Sequence, residues 1–124
     1  MAQQAHADIR PSPIAGQWYP GNPQRLAETV DRMLEAAPAA SVPGEIVGLV
    51  VPHAGYVYSG PVAARAFKLV RGREVGRVVL VSPMHHPYAD PVLSTAHGAY
   101  STPLGIIEVD AAALSALAEQ VPIA

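Results

Sequence analysis

The sequence predicts an α/β domain built on a mostly parallel sheet with flanking helices, and three observations predict it. Val47-Gly48-Leu49-Val50-Val51 is an apolar run that stops at Pro52. Because it lacks polar alternation, it reads as a strand covered on both faces. Thirty residues on, Arg77-Val78-Val79-Leu80-Val81-Ser82 repeats the pattern and ends at Pro83. Between the two runs lies a stretch of helical spacing. Strand, helix and strand over this length form a βαβ unit, whose strands run parallel with a right-handed crossover.

Taken in chain order, residues 1–9 read as a mobile N-terminus. Residues 10–23 are too rich in Pro and Gly for regular structure but hold the single Trp, and they read as an arm pinned by Trp18 and Tyr19. Asn22 is placed to cap a helix with Pro23 in its first turn. Leu26, Val30, Met33, Leu34 and Ala37 then recur on one helical face until Pro38. A linker, Ala39 to Gly44, leads into the first strand. The crossover helix is expected from Ser59 as N-cap, with Pro61 in its first turn and Val62, Ala66, Phe67 and Val70 on one face, before Gly72 and Gly76 break it. Beyond the second strand come a short strand at Pro91 to Thr95, a turn-rich stretch in which Thr102 and Pro103 turn the chain, a strand at Ile106 to Val109, and a helix capped by Asp110.

The totals exclude several classes. With 124 residues, half of them apolar, 15% charged and a formal net charge of −2, the chain is a globular protein of one domain at most, without a basic stripe for nucleic acid. Cysteine is absent, so disulfides and thiolate metal sites are excluded within these residues. No apolar run reaches membrane-spanning length and no signal-peptide core precedes the domain, which makes the cytoplasm the expected location. There is no Gly-x-Ser-x-Gly elbow and no Walker-type Gly-Lys-Ser/Thr, so neither acyl transfer nor phosphate-loop chemistry is supported. Both predicted buried strands need more cover than the remaining sequence supplies, and the chain is expected to stop inside its domain.

The chemistry concentrates where the two strands end. Pro52-His53-Ala54-Gly55-Tyr56 follows the first, and Pro83-Met84-His85-His86-Pro87 follows the second. Parallel neighbours present both C-terminal ends at one edge, about 4.8 Å apart if adjacent, and that edge is where open α/β sheets bind ligands. His53 and one of His85 and His86 can therefore meet a common centre. Imidazole suits iron and copper, and a non-haem iron site commonly takes two His and one carboxylate. The carboxylate is not evident, since Asp90 before Pro91 is more simply a turn former. Each histidine also has a blander reading: His53 as a hydrogen-bonded loop residue, His86 as an orienting neighbour or a solvent-facing side chain, and His6 and His97 as ordinary surface residues. Gly55 and Gly60 are candidates for backbone angles closed to other residues. Tyr56 and Tyr58 are candidates to place hydroxyls in the pocket, with packing the simpler account of at least one.

Ala15-Gly16-Gln17-Trp18-Tyr19-Pro20, Pro52 through Gly60, Ser82-Pro83-Met84-His85-His86 and Tyr100-Ser101-Thr102-Pro103-Leu104-Gly105 resemble, in order and spacing, successive motifs of the Memo family. That family includes AmmeMemoRadiSam system protein B. The resemblance covers residue 10 to the end. It implies that 10–124 is the N-terminal portion of a single α/β domain, an incomplete three-layer domain similar to the LigB-type class III extradiol dioxygenases. It further implies an iron or copper ion as cofactor, His53 and His85 as metal ligands and catalytic residues, and His86, Tyr56 and Gly55 as pocket or orienting residues. The family loop usually reads Gly-Pro-Ser-His-His, from which Ser82 and Met84 depart. Its further pocket residues, a histidine and a cysteine among them, lie beyond residue 124 in the family. Radical SAM and AMMECR-type proteins are the partners implied; neither nucleic acid nor a membrane is. Two functions follow from these residues: a metal-dependent oxidoreductase of dioxygenase type, or a non-catalytic module whose pocket holds a peptide or small molecule.

Overall fold

The computed structural model describes residues 8–90 and 92–123. Their elements are β1 (Ile9–Arg10), α1 (Pro23–Ala36), α2 (Tyr56–Lys68), β2 (Ala99–Thr102), β3 (Gly105–Glu108) and α3 (Ala111–Ala118). The class is α/β, with three helices and one mixed three-stranded sheet among the described residues. The chain divides into two compact units, one of Pro13–Gly76 and one that joins the residues up to Ser12 to those from Arg77 onward.

The first unit is a helix pair. At the start of α1 the Asn22 side chain accepts the Arg25 amide at 3.0 Å, with Pro23 in the first turn as the sequence predicts. The cap satisfies one of the amide donors that a helix start leaves open. Leu26 is 3% exposed and Ala37, just past the helix end, is 5% exposed. At that end the Lys68 ammonium donates to the carbonyls of Ala37 at 2.5 Å and Glu35 at 3.3 Å. It places a cation where the α1 dipole is negative. Arg71 pairs with Asp31 at 2.7 Å, a second tie to α1 on the solvent side.

Helix α2 begins four residues earlier than its sequence suggests. Gly55 is the N-cap, and Pro61 falls inside the helix, where its missing N–H leaves the Val57 carbonyl without an intrahelical donor. Ser59 is not a cap. It is buried, and its hydroxyl donates back to the Ala54 carbonyl at 2.6 Å. The buried face passes through Ser59 and Ala64, while Val62 is exposed. Gly60 needs no unusual backbone angle. A Cβ there would come within 2.6 Å of the Met33 sulfur, so its absence is what lets Met33 of α1 approach α2.

In the second unit β1 pairs parallel with β2 (Ile9↔Ala99, Arg10↔Tyr100), and β2 pairs antiparallel with β3 (Ala99↔Glu108 through Thr102↔Gly105). The predicted turn joins β2 to β3. Thr102 Oγ1 accepts the Leu104 amide at 3.1 Å and donates to the Gly105 carbonyl at 3.2 Å, and Gly105 takes φ +138°, a region that favours glycine. Asp110 caps α3 as predicted, accepting the Ala113 amide at 2.9 Å, while Arg77 reaches its other oxygen at 2.6 to 2.7 Å.

The Ala113 amide first, and the Arg77 guanidinium second, hold the Asp110 carboxyl below the usual carboxylate range. A depressed folded value means that the charged form supports the fold above the ordinary carboxylate value, and that the support is lost as pH falls through the folded value. Protection of the Ala113 amide from hydrogen exchange should therefore fall on acidification below about pH 4. It should be low at every pH in Asp110→Ala.

The sheet differs from expectation in its members. Neither 47–51 nor 78–81 is a strand, and Val47, Val50, Leu80 and Val81 are each at least 90% exposed. A buried strand depends on neighbours for its hydrogen bonds and its cover, and among the described residues neither run has them. The helix of the expected βαβ unit is present; its two strands are not. Residues 92–95 form no strand either. Conversely, Ile9, inside the expected mobile terminus 1–9, enters the sheet together with Arg10, while residues 1–7, with His6, lie outside the described residues, as does Pro91.

Candidate functional site

His53 lies in a loop built from two directions. On its C-terminal side the Ser59 hydroxyl holds the Ala54 carbonyl, while the Tyr58 and Ser59 amides donate to the Gly55 carbonyl and turn the loop into α2. Across from it the Pro-rich arm closes on itself. The Gly16 amide donates to the Tyr19 carbonyl at 2.8 Å, with Gly16 at φ +84°, and the Gln17 and Trp18 amides both donate to the Ile14 carbonyl. The turn aims the Trp18 carbonyl at α2, where it accepts the Tyr56 amide at 2.9 Å. The arm thus satisfies one of the open donors at the start of α2. It is pinned by this backbone contact and by Tyr19, whose ring lies 5.4 Å from that of Tyr56. The Trp18 side chain remains half exposed.

Gly55 has ordinary backbone angles, so the freedom expected of it is not used. A Cβ there would stand 3.4 Å from the Trp18 carbonyl oxygen, a contact distance. Removing the Ser59 hydroxyl should matter more. Ser59→Ala leaves the Ala54 carbonyl without its donor, an expected loss of about 1 to 2 kcal/mol. The loss should read out as a lower denaturation midpoint and a looser His53 loop.

Arm, loop and both helices of this unit enclose a cleft of about 480 Å³. Its walls are mostly apolar, with Ile14, Met33, Leu34, Val51 and Phe67 among them, and its polar groups include those of His53, Tyr19, Tyr56 and Ser59. Burial, and then the neighbouring Tyr19, push the Tyr56 phenol up. Tyr56 therefore keeps its proton at neutral pH. Of the two tyrosines expected there, Tyr56 lines the cleft and Tyr58 is 84% exposed.

The structure thus places His53, Gly55 and Tyr56 along one cleft. His85 and His86 form a bend in the other unit, both exposed, as is Asp90. Among the described residues no group of three or more His, Cys, Asp or Glu converges on one point. His97 is not an ordinary surface residue. Its Nδ1 is shielded from solvent and stands 2.9 Å from an Asp8 carboxylate oxygen. Sequence carried no signal for this pair, because its members are 89 positions apart.

The family model described as Memo-like protein matches residues 10–124. A MEMO1 family protein of Nitrosopumilus maritimus is 32% identical over 114 residues, which are 89% of this chain and 42% of that protein. Another, from Methanothermobacter thermautotrophicus, is 34% identical over 119 residues, 90% of this chain and 43% of that protein. A third, from Methanosarcina barkeri, is 40% identical over 102 residues, 82% of this chain and 37% of that protein. The chain therefore spans about two fifths of the length of these curated relatives. With a family model matched along nearly its whole length, the chain belongs to the Memo-like family.

Proposed function

We propose that the chain carries the N-terminal, histidine-bearing part of a Memo-like metal-binding protein resembling the LigB-type class III dioxygenases. What supports the reading is the placement of His53: a family motif delivers it at the start of a helix, to the wall of an apolar cleft that also holds a protonated phenol. In this reading His53 and His85 supply imidazole to an iron or copper ion, or one ligates while the other moves a proton, and His86 orients its neighbour. Among the described residues no three His, Cys, Asp or Glu side chains converge, so these two histidines do not by themselves complete a metal site. The apolar walls would exclude water and seat a small organic substrate, and Tyr56 would donate to it. Cytoplasmic location and work alongside radical SAM and AMMECR-type proteins are part of the same proposal.

A second reading is favoured by the cleft itself. Its walls are mostly apolar, as expected of a pocket that holds an apolar side chain or a small molecule. The protein would then be a binding module for a peptide or small molecule, without turnover. Metal content measured together with dioxygen uptake on catechol-like compounds decides between the two, with the protein expressed from its complete reading frame. Stoichiometric metal with uptake supports the oxidoreductase. Metal without uptake supports the binding module.

A further inference from the structure

We propose that the concave surface beside the C-terminal end of α2 binds a small organic phosphate, at a site separate from the His53 cleft. A second cavity of about 400 Å³ opens there, and it shares no lining residue with the first. Its wall combines three cationic residues, Arg65, Lys68 and Arg73, with an apolar part that includes Val42, Ile46 and Leu69. Among the described residues no Asp or Glu lines it.

Helix geometry gathers the cations. Arg65 and Lys68 stand three positions apart in the last turn of α2, and so on one helical face. Past the helix the Arg73 amide donates to the Val70 carbonyl at 3.1 Å, a turn that returns the third cation to the same wall. Helix ends account for part of this charge. The C-terminal ends of α1 and α2 each carry about half a negative charge, and Lys68 answers that of α1 through the Ala37 and Glu35 carbonyls. Three cations against about one unit of helix-end charge leave an excess of about two positive charges. Donors are left over as well. An ammonium has three N–H groups, of which Lys68 commits two to those carbonyls. Arg65 and Arg73 are exposed, and among the described residues neither guanidinium has a hydrogen-bond or ion-pair partner. A phosphate monoester carries a charge of about −1.5 to −2 at pH 7, which matches the excess, and guanidinium forks take phosphate oxygens in pairs. The organic part of the ligand would cover Val42, Ile46 and Leu69, which a bare inorganic ion leaves open to water.

Calorimetric titration of the protein expressed from its complete reading frame, with butyl phosphate and inorganic phosphate as probes, tests the site. Salt is held at about 0.1 M, where charges more than about 10 Å apart are largely screened from one another. Butyl phosphate should bind at one site and at least about 4-fold more tightly than inorganic phosphate, the gain expected from burying a single methylene. Arg65→Gln and Arg73→Gln should each weaken it about 10-fold, as for a lost hydrogen bond to a charged group. Arg25→Gln removes the same charge from α1 outside the cavity wall and should leave binding nearly unchanged. Absence of butyl phosphate binding, inorganic phosphate bound as tightly, or equal effects of the three substitutions overturns the assignment.

Discussion

Replacing His53 or His85 with alanine is expected to strip most of the iron or copper from the protein expressed from its complete reading frame. In the proposed function each is one of a few groups that bond the metal directly, whereas an orienting neighbour typically contributes about 10- to 100-fold in affinity. His86→Ala should therefore cost less than His85→Ala. His97→Ala should leave metal content unchanged, since its ring is engaged with Asp8 and Tyr100. Metal analysis of the purified variants measures all four. Retention of metal with both His53 and His85 replaced would show the ligand assignment to be wrong and leave the cleft as a binding pocket.

Leu26→Ala is expected to produce the largest loss of stability of any single truncation in the helix pair, about 2 to 4 kcal/mol. Leu26 is the buried side chain of α1, at 3% exposure, while the other apolar side chains on its face, Val30, Met33 and Leu34, are only partly covered. A core with so few enclosed side chains has little to redistribute when one is removed. The variant should lose helical signal at a lower denaturant concentration, together with a lowered midpoint for the whole first unit. The same truncation at Val62, which is exposed on α2, should change stability by less than about 0.5 kcal/mol. Equal effects at the two positions would mean that the α1–α2 contact does not carry the stability of this unit.

The sequence by itself determined the features that depend on a few adjacent residues. Asn22 with Pro23 starts α1, Asp110 starts α3, and Thr102 with Pro103 turns the chain between β2 and β3, because a cap or a turn is completed by groups within three or four positions. The histidine-bearing loops were legible in the same way, since Pro and Gly mark where an apolar run ends. The tertiary structure decided whatever needed a distant partner. The N-cap of α2 is Gly55 and not Ser59, because the Trp18 carbonyl, 38 positions away, accepts the Tyr56 amide. Gly60 serves the approach of Met33, and His97 is held by Asp8. The runs 47–51 and 78–81 show the limit most plainly. Their residues have the composition of buried strands, but strand hydrogen bonds and burial are properties of a pair, and a single run cannot supply them.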